Sequence, residues 1–387
     1  MPLINAVAAL ADEITGWRRH LHENPELMYD VHETAGFVAA RLREFGCDEV
    51  VEGIGRTGVV GVIHGARGTG RAIGLRADMD ALPITEATGL PHASRTKGKM
   101  HACGHDGHTA MLLGAAKHLC ETRNFSGSVA VIFQPAEEGG AGGRAMVQDG
   151  MMDRWSIDEV YGMHNIPGLP IGQFAIRHGA MMAATDEFTI KVNGRGSHAA
   201  QPHNSIDPIV AGSQLVTALQ TIASRNADPI KNVVVSVTKF QAGTAYNVIP
   251  ETALVAGTVR TLDGEIRELA ARRVAEICAG LGAATGAEFA LDYHRNYPVT
   301  SNHPHETEHA LATAIELAGE AAVDPDVPPV MGGEDFSYML EARPGAFIFM
   351  GNGDTATLHH PEYDFSDEAI PHGVSYWVRL AERRLAA

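Results

Sequence analysis

Four short runs, at 58–63, 72–77, 129–133 and 160–163, are apolar on both faces. A strand tolerates that pattern only where helices cover both sides of its sheet, so these runs call for an α/β layer architecture. Helical segments separate them, among them 109–119. Upstream, Ile4, Val7, Leu10, Ile14, Trp17 and Leu21 recur at helical spacing. They predict one amphipathic helix, stopped near Asn24-Pro25. A second helix is expected over 34–45, ended by Gly46.

The middle of the chain has another character. Phe188, Ile190 and Val192 alternate with polar residues, as in a half-buried strand. Helical pattern follows at 208–223, alternation at 233–240 and 253–259, helix at 266–281 and a strand at 288–293. That order is β-α-β-β-α-β, a ferredoxin-like sandwich. The chain then returns to helix at 309–318 and to a buried run at 346–350. At 387 residues it exceeds what one core usually serves. The expected organisation is a discontinuous catalytic α/β domain with a central mixed sheet, 1–183 and 296–387, and an inserted domain, 184–295.

A formal charge of −17 repels phosphate backbones and anionic lipid, which argues against nucleic acid and membrane surfaces as partners. Cys47, Cys103, Cys120 and Cys278 show no framework spacing, which fits a reducing compartment. The start, Met1-Pro2-Leu3-Ile4-Asn5, has no basic segment, and Asp12 and Glu13 interrupt any apolar run. No signal peptide is expected, and the cytoplasm is the expected location.

The chemistry concentrates in 100–108, where Cys103, His101, His105, His108 and Asp106 share nine residues with two glycines. Gly104 lets the backbone bend, so that Cys103 and His105 can face one cation. Soft and borderline donors together suit Zn²⁺ and can hold Mn²⁺ or Co²⁺. The plainer alternative is a loop with a structural cysteine and surface histidines, but this density favours metal. No second pair of ligand spacing lies nearby, so further ligands must come from distant positions.

One source is Glu137-Glu138, directly after an apolar strand and before a Gly-rich loop. One carboxylate could ligate while the other takes a proton from water. Neighbours on a regular strand face opposite ways, so this requires a break near Pro135. His164 follows another apolar run; alone, such a histidine is more often simply hydrogen-bonded. His359 and His360 precede Pro361, and the residues alone do not say which points inward.

Taken together, the blocks Trp17-Arg18-Arg19-His20-Leu21-His22, Leu75-Arg76-Ala77-Asp78-Met79-Asp80-Ala81-Leu82-Pro83, His101-Ala102-Cys103-Gly104-His105-Asp106-Gly107-His108 and Gln134-Pro135-Ala136-Glu137-Glu138-Gly139 resemble the M20 metallopeptidase/amidohydrolase family. So do Gly162-Met163-His164, Gly196-Ser197-His198-Ala199, Asn247-Val248-Ile249-Pro250, Gly333-Glu334-Asp335-Phe336 and Leu358-His359-His360-Pro361. They run over nearly the whole chain in family order, and the nearest branch is that of aminoacylases and hippurate hydrolases.

The resemblance implies that Cys103, His105, Glu138, His164 and His359 ligate two divalent ions, Zn or Mn, with Co or Ni as alternatives. It implies Glu137 as general base and a supporting role beside the metals for Asp80, with Asp78 and Asp106 as weaker candidates. Capping of a helix or turn is the plain alternative for these three aspartates. It further implies that the insert is a lid or dimerisation domain, so a homodimer is expected. His198 would support the oxyanion, in its own subunit or across the dimer. Asn247 and Arg260 would hold the substrate carboxylate, although on their own they read as a turn residue and a strand surface residue.

The implied function is metal-dependent cleavage of the amide bond of small N-acyl amino acids. A dipeptidase, an N-carbamoyl amino acid hydrolase or an N-acetyl-diaminopimelate deacetylase would use the same chemistry. A non-catalytic binding protein would lack Glu137 or some ligands, and all are present. A structural zinc protein would unfold on chelation.

Overall fold

The both-face apolar runs become the middle of one eight-stranded sheet. A computed structural model describes residues 3–386; Met1 and Pro2, part of the N-terminal reading above, and Ala387 lie outside the described residues. The strand order is Glu49–Ile54, Gly58–His64, Ser128–Gln134, Ala72–Asp78, Glu159–Ile166, Gly345–Gly351, Phe174–Ala175, Val323–Asp324. Four central neighbours, Ser128–Gln134 through Gly345–Gly351, run parallel. Gly58–His64 joins antiparallel, and Glu49–Ile54 pairs antiparallel with it at the edge, so the sheet is mixed. Register puts Asp78 beside Gln134, so neighbouring strands end level. Loops leaving the carboxyl ends of such strands are where α/β proteins place their sites.

Helix His105–Thr122 is buried along almost its whole length and starts at the centre of the site. It packs against Ala11–Glu23, His32–Phe45 and Ile370–Arg384. Trp17, Leu21, Val38, Leu42, Met111, Leu112 and Trp377 fill the core between helices and sheet.

The expected first helix is two. Asn5–Ala9 closes with a tight bond from the Leu10 N–H to the Val7 carbonyl, and Ala11–Glu23 continues after it. Val7, Ile14 and Trp17 all still reach the core, so the apolar period survives a break it could not announce.

The chain divides into two compact units: Met1–Met181, Ser301–Pro328 and Asp335–Ala387 form the larger, and Met182–Thr300 with Pro329–Glu334 the smaller. The smaller is a four-stranded antiparallel sheet in the order Val233–Ala242, Thr252–Thr261, Ala184–Asn193, Glu288–Arg295. Helices Pro208–Thr221 and Gly264–Thr285 pack against it, which makes the order β-α-β-β-α-β. Both helices start on an aspartate: Asp207 accepts from Ile209 N and Val210 N, and Asp263 from Glu265 N and Ile266 N. Phe188, Ile190 and Val192 face the core of this unit with Leu215, Val255 and Val274. No helix among the described residues is long and apolar enough to cross a membrane.

Candidate metal centre

Gly104 sits in the left-handed region at φ 90°, where it turns the chain into helix His105–Thr122. A Cβ there would lie 2.2 Å from Asn165 Oδ1 and 2.6 Å from the Tyr363 hydroxyl. Only glycine meets both demands, the angle and the space. The turn leaves the Cys103 Sγ 3.4 Å from His164 Nε2, which comes from the end of strand Glu159–Ile166.

His105 and His164 each spend one ring nitrogen on a backbone carbonyl. His105 Nδ1 bonds the Asp80 carbonyl at 2.8 Å, and His164 Nδ1 bonds the Asn165 carbonyl at 2.7 Å. A proton fixed on Nδ1 leaves the Nε2 lone pair free to ligate. His105 Nε2 is buried and has no hydrogen-bond partner.

Strand Ser128–Gln134 ends just before Pro135, and Ala136 adopts φ 52°. This is the break that adjacent glutamates need. Asp80 then holds both of them by the backbone: Oδ1 accepts from Glu137 N at 2.9 Å and Oδ2 from Glu138 N at 3.2 Å. Ligand atoms of His105, Glu137 and Glu138 lie within 4.8 Å of one another. So do those of Cys103, His105 and His164, and those of Cys103, Glu138 and His359.

His359 completes the ring from the far end of the chain. It has φ 65°, and its N–H bonds the Ala102 carbonyl at 2.7 Å. Its Nε2 stands 3.3 Å from Glu138 Oε1, which itself makes no hydrogen bond. His360 turns away: its Nδ1 accepts from Glu362 N in the following turn.

The electrostatics ask for a cation. Burial alone would favour a neutral His105, yet Asp78, Asp80 and Glu138 raise its pKa to about 10. Burial and the repulsion of His108 hold His164 well below the ordinary histidine range. Burial, then Glu138 and Glu137, push the Cys103 thiol up. Glu138 lies below its usual value, because His359 and His105 outweigh its burial. A proton on His105 thus stands where positive charge is wanted. The free Nε2, the unbonded Oε1 and a thiol, imidazole and carboxylate donor set fit divalent transition metals. Thiolate ligation in particular needs the compensating charge of a cation.

A buried frame surrounds these residues. Asp78 bonds His108 Nδ1 at 2.6 Å and Arg76 at 2.8 Å. His108 Nε2 lies 2.7 Å from Asn165 Oδ1, and Arg76 reaches Asp335 at 3.1 Å. Arg76, Asn165 and Asp335 had no role in the sequence reading, and His108 entered it only as one of the donors in 100–108. The available signal was Arg76 itself, a charged residue inside an apolar strand. Asp106 turns from the cluster to His22 Nδ1 at 2.8 Å. None of the three aspartates caps a helix N-terminus, although Asp80 does fasten a turn.

His198, Asn247 and Arg260 belong to the smaller unit. His198 is exposed on a two-residue strand opposite Val248, and its Nδ1 accepts from Ala200 N at 3.1 Å. Asn247 adjoins it, its carbonyl accepting from Ala199 N. Arg260 stands apart on the long strand, half-buried opposite Thr185, and burial lowers its pKa.

An α/β unit with such a donor set suits a metal-dependent hydrolase, and the relatives below make the class one that acts on amide C–N bonds. A model of Peptidase family M20/M25/M40 matches residues 74–383, and the chain belongs to that family. It is 43% identical over 385 residues to the hippurate hydrolase of Campylobacter jejuni, covering 100% of both chains. It is 42% identical over 384 residues to the N-acetyl-L-cysteine deacetylase of Bacillus subtilis, covering 98% of this chain and 89% of the relative. Among solved structures, a putative aminohydrolase from methicillin-resistant Staphylococcus aureus superposes with TM-score 0.92 at 36% identity, covering 99% of each chain. The YxeP protein of Bacillus subtilis, described as a dinuclear metal binding peptidase from the M20 family, has TM-score 0.85 at 36% identity, covering 98% of this chain and 99% of that one.

Proposed function

We propose that the protein hydrolyses the amide bond of N-acyl amino acids, releasing a carboxylic acid and a free amino acid. The observation that carries this reading is Glu137, a buried residue whose backbone N–H is held by Asp80, beside the Cys103, His105, Glu138, His164 and His359 donors. The hippurate hydrolase and deacetylase relatives support the substrate class.

Those five side chains would hold two divalent ions, Zn or Mn, with Co or Ni as further candidates. When bound, such ions supply Lewis acidity, which polarises a carbonyl and makes water a nucleophile near neutral pH. Glu137 Oε takes the proton of the attacking water and delivers it to the departing amine nitrogen. Asp80 keeps the Glu137 backbone in place through both stages. His198, with Nδ1 accepting a backbone N–H, carries its proton on Nε2 and has a donor for the oxyanion. Asn247 and Arg260 are assigned to the substrate carboxylate; Arg260 has no hydrogen bond on its guanidinium among the described residues, which leaves its fork free.

The smaller unit is assigned the lid and dimerisation role. In support, Ile209, Val210, Tyr246 and Val248 expose apolar surface on it. Light scattering that returns a dimer mass supports this; a monomer mass contradicts it.

The direct test is a substrate panel of N-benzoyl and N-acetyl amino acids, dipeptides, N-carbamoyl amino acids and N-acetyl-diaminopimelate, each with added Mn²⁺ or Zn²⁺. N-acyl amino acids should show the highest kcat/KM. A higher value for dipeptides or carbamoyl compounds overturns the assignment.

A further inference from the structure

Cys47 and Cys120 are 73 positions apart in sequence, yet their Sγ atoms approach to 3.5 Å. Neither belongs to the metal centre, and the sequence reading gave neither a role. Two pieces of local structure hold the approach. Helix His32–Phe45 ends on Gly46 at φ 83°; the Gly46 N–H bonds the Arg43 carbonyl and the Cys47 N–H bonds the Leu42 carbonyl. That paired closure pins the backbone of the residue after the glycine. Cys120 stands in the last turns of helix His105–Thr122, and the next residue beyond that helix is Arg123.

Arg123 reaches across to the residues on either side of Cys47. Its guanidinium donates to the Gly46 carbonyl at 2.8 Å and to the Asp48 carboxylate at 2.7 Å. A third bond goes to the His64 carbonyl at 2.8 Å. The two thiols are therefore held together by the caps of their own helices. The positive guanidinium beside both sulfurs favours a thiolate in the pair. The Cys120 thiol lies below its ordinary value, lowered first by the bond with Cys47 and, against its burial, by Arg123; the same bond and burial push the Cys47 thiol up. Cys47 is half-buried, so part of this residue lies at the surface, whereas Cys120 is buried.

We propose that Cys47 and Cys120 form a reversible dithiol–disulfide pair, oxidised by small-molecule disulfides. One of the two sulfurs, as thiolate, attacks a sulfur of the small disulfide; that S–S bond breaks and one small thiolate leaves. The other protein sulfur loses its proton and attacks the protein sulfur of the mixed disulfide, expelling the second small thiolate. Two protein thiols are oxidised to one disulfide, one small disulfide is reduced to two thiols, and the two protons end on the released thiols. Closing the bond takes the sulfurs from 3.5 Å to about 2.05 Å. The cross-link constrains the unfolded chain between the two positions and raises thermal stability.

The test uses the full chain as purified. It is incubated with oxidised glutathione at pH 8, quenched in acid, denatured, alkylated and mapped by mass spectrometry. Wild type should lose two of its four thiols, yield a Cys47–Cys120 linked peptide and melt at higher temperature. Dithiothreitol should reverse all three changes. Cys47→Ser and Cys120→Ser should each stop at an unmodified thiol or a glutathione adduct. Wild type that keeps four thiols, or carries an adduct with no linked peptide, overturns the proposal. The reading is taken on wild type, so it does not depend on whether a variant folds, nor on the substrate assignment.

Discussion

Asp80 orients two neighbouring glutamates with one carboxylate, and that division of labour predicts how single substitutions behave. Glu137→Gln removes the proton acceptor and leaves the ligand set intact. It should lower kcat by about 10²–10⁴-fold while metal content by mass spectrometry stays at the wild-type level. A near wild-type rate contradicts the base assignment. His359 and His360 are adjacent and differ only in direction, one toward Glu138 and the other into a turn. His359→Ala should lose metal and activity together, whereas His360→Ala should keep both. The opposite result would exchange their roles.

Elements carry these side chains, and two predictions belong to them. Gly104→Ala places a methyl 2.2 Å from Asn165 Oδ1 at a backbone angle alanine resists. The start of helix His105–Thr122 must shift, at a cost of at least about 2 kcal/mol, and both melting temperature and metal content should fall. An unchanged metal content in Gly104→Ala would show that the turn does not set the cluster. Helix Ala11–Glu23 is tied to the same helix through His22, which is buried between Asp106 at 2.8 Å and Glu86 at 3.3 Å. Burial opposes the charged ring, but the two carboxylates raise its pKa to about 9. Against its own burial, Glu86 is lowered to about 2 by the His22 bond.

The folded protein therefore binds the His22 proton more tightly than the unfolded chain. That stability is complete below the unfolded value of 6.5 and is lost as pH rises through about 9. Glu86 behaves in the mirror sense: its contribution is complete above 4.5 and fades as pH falls toward about 2. Wild type should exceed His22→Gln in stability by on the order of 3 kcal/mol at pH 6, with the gap closing toward pH 9. A gap independent of pH over that range contradicts the buried ion cluster.

The strands with both-face apolarity and the helices with a clear period were legible in the sequence, because burial writes its period into residue type. Glu49–Ile54 was not, since an edge strand with a mostly exposed pattern carries little of that signal. Phe174–Ala175 and Val323–Asp324 are two residues each, too short to show any alternation. The requirement for a break after Gln134 followed from strand geometry alone, but the device that uses it, the Asp80 carboxylate on two backbone N–H groups, depends on a contact across 57 residues. The same holds for Cys47 beside Cys120 and for Arg76 reaching Asp335. Such pairings are set by tertiary packing; a charge inside an apolar run, as at Arg76, marks one partner but does not name the other.

At the scale of the whole molecule, the two units each have a core of their own. The candidate ligand groups belong to the larger one, and the core of each unit is built from apolar side chains. Removing metal with a chelator should abolish activity while the far-ultraviolet circular dichroism spectrum persists. Loss of that spectrum would place the ions among the structural supports of the fold. The chain carries a formal charge of −17, and the fold places Asp78, Asp80, Glu137 and Glu138 together, so an anionic substrate needs compensating cations there.

That requirement points to one decisive measurement. Crystals grown with Mn²⁺ or Zn²⁺ and measured at the metal absorption edge give an anomalous difference map. Two peaks are expected, about 3.5–4 Å apart, each within coordination distance of atoms from the set Cys103, His105, Glu138, His164 and His359, with Glu137 unligated beside them. A map with no peak at these residues, or with Glu137 bound as a ligand and Glu138 turned away, would contradict it.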